Sequence, residues 1–318
     1  MKYFNRKYLI ISSLLLSFTV TSVGCTNTTA PNDAKQELAN VAQSKNENIR
    51  LAKVEKQNNN LEKAIFYYIQ ALEYDKDDID ILCEIGNIQN RLDSPELAIR
   101  AFKQALTVKP DHVPALAQMG IYYLEHKHTD KAKDALERTI NLDQKRLHTN
   151  VSFDRFIALD SESPLLAYNA LAVLSDLGSR HEYARDIFNL LIPISANLSL
   201  IYTNMGYSYY LTSNYTLAED YYKKALDINS DFERAKLNLG LIYVRTGQYN
   251  QALQLFKQVM STAQAYNDIG YFLLLDGRYQ EAEYFLQNAI DLSPSYLERS
   301  HINLENVQLY LHEAKISP

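Results

Sequence analysis

The stretch NMGYSYYLTSNYTLAEDYYKKALDINSDFERAKLNLGLIYVRTGQYNQALQLF, residues 204–256, decides the fold because its key residues recur after 34 positions. Asn204, Gly206, Ala218 and Tyr222 return as Asn238, Gly240, Ala252 and Phe256. A fixed period of this length marks a stacked-repeat architecture, in which each unit buries its apolar face only against its neighbours. Outward from this stretch the same step of 34 separates Gly86 from Gly120, Ala98 from Ala132 and Ala184 from Ala218.

These anchors place seven repeats, at residues 45–78, 79–112, 113–146, 165–198, 199–232, 233–262 and 263–296. Each carries a small residue in its first helix: Ala52, Gly86, Gly120, Ala172, Gly206, Gly240 and Gly270. Each also carries an Ala early in its second helix: Ala64, Ala98, Ala132, Ala184, Ala218, Ala252 and Ala282. Antiparallel helices approach closely there, so a larger side chain overpacks the stack at a cost of about 1–3 kcal/mol per site. Tyr68, Phe102, Phe188, Tyr222 and Phe256, further along the second helices, fill the complementary holes. Pro110 and Pro294 close their repeats, where a helix must stop. Of nine glycines, five hold the small packing position and Gly178, Gly247 and Gly277 fall in turns between helices. Gly24 is the remaining one, so none is left for a phosphate-binding loop, and no GxGxxG or GxxxxGK[ST] string occurs.

With these residues in these places the chain resembles the tetratricopeptide-repeat (TPR) family. The resemblance implies an all-α superhelical solenoid of about seven helix-turn-helix repeats, ending in a C-terminal capping helix. Residues 297–318 supply the cap and a tail, with Ile302, Leu304, Val307, Leu309 and Leu311 expected to dock on the last repeat. Residues 147–164 form an insertion, after which Ser163-Pro164 reads as an N-cap and first helical residue. The insertion either hinges two stacks, 45–146 and 165–296, or uses Phe153, Phe156 and Ile157 to pack locally or to meet a partner. The sixth repeat is four residues short, about one helical turn, so its second helix is expected to end early.

The first residues read as an export signal: Lys2, Arg6 and Lys7, then an apolar run from Tyr8 to Val20 that is too short to span a bilayer comfortably. Thr21-Ser22-Val23-Gly24-Cys25 resembles the lipobox of bacterial lipoproteins, which implies a signal peptide over 1–24, an acylated Cys25, and a tether running into the first helix over 25–44. An ordinary cleaved signal peptide is the alternative, and it exports the chain equally. Cleavage before Cys25 removes three basic residues, leaving 29 Lys and Arg against 38 Asp and Glu, so the formal charge moves from −6 to −9. Such a surface suits neither the phosphates of nucleic acid nor a role built on them. Cys83 is the other cysteine and reads as a small buried hydrophobe.

Chemistry of catalysis is not patterned into the chain. His126 and His128 flank Lys127 in a turn, but no neighbouring Cys or His completes a metal-ligand set. HExxH, CxxC and GxSxG strings do not occur, so the sequence implies no enzyme, no metal and no cofactor. One catalytic alternative places acidic residues of the insertion, Asp154 and Asp160, in an active site.

The TPR resemblance implies instead a binding face on the concave side, lined by first helices. Asn204, Asn238 and Asp268 share one first-helix position in successive repeats, where related proteins pair a side-chain amide with a peptide backbone. Tyr207, Tyr210 and Tyr271 lie beside them as aromatic anchors; the alternative is an Asn row that only solvates a helix face. The chaperone-binding subfamily's Lys/Asn clamp is not matched, since Ile49, Glu84, Pro114 and Gln118 stand at its other positions beside Lys53. Over residues 265–307 the order Asn267-Asp268-Ile269-Gly270-Tyr271, Gly277-Arg278-Tyr279, Ser293-Pro294-Ser295-Tyr296 and Asn303-Leu304 is similar to the TadD-like lipoproteins of tight-adherence (Flp-type) pilus systems. That resemblance implies an outer-membrane anchor, a solenoid in the periplasm, and protein partners in a secretin or pilus assembly complex. A pilotin of ordinary type IV pili and a general scaffold for peptidoglycan or outer-membrane enzymes are the alternatives.

Overall fold

The structure is a computed structural model that describes residues 31–148, 156–293 and 298–316. The export signal, Cys25, Phe153, Asp154 and Pro294 lie outside the described residues. Among the described residues there are helices and no strands. Seven helical hairpins follow one another: α1 (Pro31–Gln57) with α2 (Leu61–Leu72), α3 (Ile79–Arg91) with α4 (Pro95–Val108), and α5 (Val113–Glu125) with α6 (Thr129–Leu147). After the insertion come α7 (Leu165–Leu177) with α8 (His181–Leu191), α9 (Leu198–Leu211) with α10 (Tyr215–Ile228), α11 (Glu233–Arg245) with α12 (Tyr249–Phe256), and α13 (Thr262–Leu275) with α14 (Tyr279–Asp291). A last helix, α15 (Glu298–Ile316), covers the end of the stack.

Side-chain caps start several of these helices. Asp78, Asn197 and Asn214 each accept a hydrogen bond from the backbone N–H three residues on, and Ser261 with Gln264 forms a capping box at α13. At α7 the start is displaced by one residue from the sequence expectation. Pro164 occupies the N-cap and Leu165 begins the helix, while the Ser163 oxygen accepts from the Asp160 backbone N–H at 3.2 Å in place of a helix N–H.

The hairpin turns carry the repeat in their backbone angles. Asn59, Asp93, Lys127, Ser179, Ser213, Gly247 and Gly277 all have positive φ, one in each hairpin. Gly178 therefore precedes the left-handed position of its turn, which falls on Ser179.

Packing follows the small-residue logic. The seven second-helix alanines and Ala52 and Ala172 are fully buried. Each first-helix glycine faces a large side chain of its own hairpin: a Cβ on Gly86 would lie 2.6 Å from the Phe102 ring, and one on Gly120 2.7 Å from Leu136. α12 is only eight residues long, the early ending that the four-residue deletion implies. The core is not divided at the insertion: one apolar cluster joins Ala132, Leu136 and Ile140 of the third hairpin to Tyr168, Leu171, Phe188 and Met205 beyond it. On α15, Leu304 and Val307 are buried and Leu311 packs against the last hairpin, but Ile302 and Leu309 are exposed. The docked residues fall on one helical stripe, and Ile302 and Leu309 lie off it.

Candidate protein-binding face

Every second helix packs against the first helix of the next hairpin, whereas first helices also pack directly on one another, α5 on α7, α7 on α9, α9 on α11, α11 on α13 and α13 on α15. Among the described residues no two consecutive second helices make a comparable interface. A stack whose elements close up on one side and spread on the other curves toward the close side, so first helices line the inner face from α5 onward.

The sequence-predicted residues on this face have unequal freedom. Asn204 is only 3% exposed: its Nδ2 donates to Asn169 Oδ1 at 2.8 Å, and its Oδ1 accepts from Arg234 Nη2 at 2.8 Å. It joins α7, α9 and α11 and has both ends of its amide engaged. Asn238 is half-buried, and burial pushes the ionisation of the Tyr222 hydroxyl upward. Tyr207 and Tyr210 stack on each other at 5.9 Å, and the Arg245 guanidinium sits 5.3 Å from the Tyr210 ring, so Tyr210 is held from both sides. Tyr271 is 40% exposed. Asp268 is half-buried, accepts from Asn267 Nδ2 at 3.1 Å, and is raised above the ordinary carboxylate range chiefly by burial. Asn267 in turn accepts from the Ser300 hydroxyl at 2.9 Å and so ties α13 to the cap.

A row that the sequence reasoning missed lies five positions after the first-helix small residue in the fourth, fifth and seventh hairpins. Leu177 and Leu275 are 64% and 60% exposed, and Leu211 is exposed between them in chain order. Val173, Tyr207, Leu241 and Tyr271, one position after the small residues, form a second mixed apolar row. The equivalent positions of the first three hairpins are Gln57, Arg91 and Glu125, and Lys53, Asn87 and Ile121. The sixth hairpin interrupts the leucine row with Arg245, and Ile121 extends the second row into the third hairpin, so the apolar inner strip is concentrated in the last four hairpins. Its signal was present in the sequence: leucine in three of the last four hairpins at one repeat position that helix packing does not require.

Several other titratable groups are engaged within the fold. Asp160 in the insertion is gripped by Arg146 through two contacts of 2.7 Å, which hold its carboxyl well below the usual range. The same guanidinium reaches Asp143 at 2.7 Å, and Asp143 accepts from the buried Tyr168 hydroxyl at 2.9 Å. Gln144 clasps the Ile157 backbone in both directions, at 2.8 and 3.2 Å, and Phe156 rests on Tyr183 with ring centres 5.6 Å apart. The described part of the insertion is thus latched onto the core. Cys83 is buried with its Sγ 3.5 Å from His112 Nδ1; burial pushes the thiol up to about 12 and lowers the imidazole, the reverse of an activated thiolate–imidazolium pair. His126 stacks on Tyr122 at 4.0 Å. Among the described residues no group of three metal-ligating side chains converges, and no helix is long and apolar enough to cross a membrane.

Profiles of the tetratricopeptide repeat match residues 48–78, 79–112, 197–265 and 237–296. The chain is a tetratricopeptide-repeat protein. Its fold is similar to that of a tetratricopeptide-repeat protein from Parabacteroides merdae, with 15% identity, a TM-score of 0.55, and coverage of 84% of this chain and 99% of that one. It is also similar to PilF of Pseudomonas aeruginosa, at 16% identity and a TM-score of 0.50, over 85% of this chain and 99% of that one. A chain of the APC/C hetero-tetramer Cut9–Hcn1 aligns at 14% identity and a TM-score of 0.53, over 76% of this chain and 45% of that one. At such identities the likeness is one of fold. No curated protein sequence matches the chain. Tetratricopeptide arrays are protein–protein interaction scaffolds, typically without catalytic activity.

Proposed function

We propose that this tetratricopeptide-repeat protein is a lipid-anchored scaffold of the bacterial envelope that binds a segment of a partner protein along the inner face of its last four hairpins. The observation that carries the reading is the exposed apolar row Leu177, Leu211 and Leu275 beside Tyr271, on the side where first helices close up. Exposed leucines at one repeat position cost solubility with no packing return, which is the mark of a contact surface. Acylation at Cys25 would hold the solenoid at the outer membrane: each buried methylene adds about 0.8 kcal/mol, and several chains make the anchor stable. Anchoring raises the effective concentration of the face near membrane targets.

Assembly of a tight-adherence pilus or its secretin is the role that the sequence resemblance favours. The likeness of fold to PilF over 85% of the chain supports the neighbouring reading, a pilotin of type IV pili. Co-purification from detergent-solubilised membranes tests both, comparing the native chain with Cys25→Ser and with Asn238→Ala/Tyr271→Ala. The native chain is expected to retrieve a secretin or pilus protein, Cys25→Ser to lose the membrane fraction, and the double variant to lose the partner. Identical partners from all three forms would contradict the proposal.

A further inference from the structure

The four residues missing from the sixth repeat leave more than a short helix. α12 stops at Phe256, and a loop takes the place of the absent turn before α13 begins at Thr262. Beside that loop a cleft of about 560 Å³ opens between the start of α13 and the start of the cap, a volume typical of ligand sites. Val259 and Met260 give it an apolar wall. Asp268 supplies a carboxylate, with Gln264, Asn267 and Ser300 around it.

Asp268 is the unusual member. It stands at the repeat position held by Asn204 and Asn238, and it brings a half-buried charge into a position where neighbouring repeats carry a neutral amide. Among the described residues, Asn267 Nδ2 donates to it at 3.1 Å, and no ion pair within 4 Å neutralises it. Arg299 also lines the cleft and acts on Asp268 through space, without an ion pair within 4 Å among the described residues. Glu298 on the same rim adds a second negative charge. Burial disfavours this carboxylate, and an incoming cation would add compensation.

We propose that this cleft takes the side chain of a Lys or Arg from the partner segment, its alkyl stem along Val259 and Met260 and its charged head on Asp268. The inference rests on the inner face being the binding surface. It gives that surface a polarity: apolar side chains of the partner lie along the leucine row, and a basic residue lies at the end nearest the cap.

The test uses the full chain and fluorescein-labelled nonapeptide mixtures, randomised at eight positions and fixed at the centre as Lys, Arg, norleucine or Glu. Binding is read by fluorescence polarisation against the native chain and against Asp268→Asn, with the melting temperature of each recorded. N-acetyl-lysine methylamide alone serves as the free-amine arm. The expected result is at least tenfold tighter binding of the Lys and Arg mixtures than of norleucine, a preference that Asp268→Asn abolishes. Equal binding of all four mixtures, or a basic preference that survives in Asp268→Asn, overturns the cleft and leaves the inner face standing. Binding by none of them overturns both, and saturation by the free amine at the mixtures' own affinity overturns the peptide as its source.

Discussion

The ring of Tyr222 occupies the space that Gly206 leaves by having no side chain: a Cβ on Gly206 would lie 2.7 Å from Tyr222 Cε1 and 3.1 Å from the Ala218 carbonyl oxygen. Tyr222 is 1% exposed, so its ring has nowhere to move. Gly206→Ala gains about 1 kcal/mol of helix propensity but overpacks a closed contact at about 1–3 kcal/mol. A net loss of about 1 kcal/mol is expected, read as faster amide hydrogen exchange in α9 and α10 and a lower urea midpoint.

Lys127 and Ser213 hold positive φ at exposed turns, near 59°. The left-handed conformation costs a side-chain-bearing residue about 1–2 kcal/mol, and glycine returns about 0.5–1 kcal/mol of that in unfolded-state entropy. Lys127→Gly and Ser213→Gly should each therefore stabilise the chain by about 0.5–1 kcal/mol, measured by thermal unfolding. Gly247→Ala, at φ +77°, should do the opposite.

Arg146 joins the insertion to the core through Asp160 and the buried Asp143. Arg146→Met removes the partner of a carboxylate that is 1% exposed, and a loss of about 2–4 kcal/mol is expected. Because Arg146 depresses the Asp160 ionisation, the folded state binds that proton less readily than the unfolded state does. The stability it supplies is present above the ordinary carboxylate range and is lost as pH falls below it. Stability curves of native and Asp160→Asn chains should therefore converge on acidification.

The reverse sign holds at Asp268. Burial raises its ionisation, so the folded state prefers the protonated form and stability falls as pH rises through the folded value. Asp268→Asn should melt higher than the native chain at pH 7, and the difference should shrink as pH falls below the ordinary carboxylate range.

Much of this was legible in the sequence because the repeat fixes backbone approach. Gly206 and Gly240 with Ala218 and Ala252 mark where helices meet, and the lengths of the hairpins follow. The short α12 was equally visible as four missing residues. What spacing could not show is which polar side chains are already engaged. Asn204 and Asn238 are identical in register, yet Asn204 alone has Asn169 on one side and Arg234 on the other, an arrangement set by two further helices. Ile302 and Leu309 were expected to dock because they are apolar, but the stripe through Ser300, Leu304, Val307 and Leu311 had already determined which side of α15 faces inward.

The central claim is that partners bind the inner face of the last four hairpins. In cells, the photo-reactive residue p-benzoylphenylalanine is placed at Tyr271 on the inner strip and, in a separate strain, at Tyr284 on the exposed side of α14. Ultraviolet cross-linking followed by mass spectrometry should give a partner adduct from position 271 and none from position 284. An adduct from 284 with none from 271 would contradict the account.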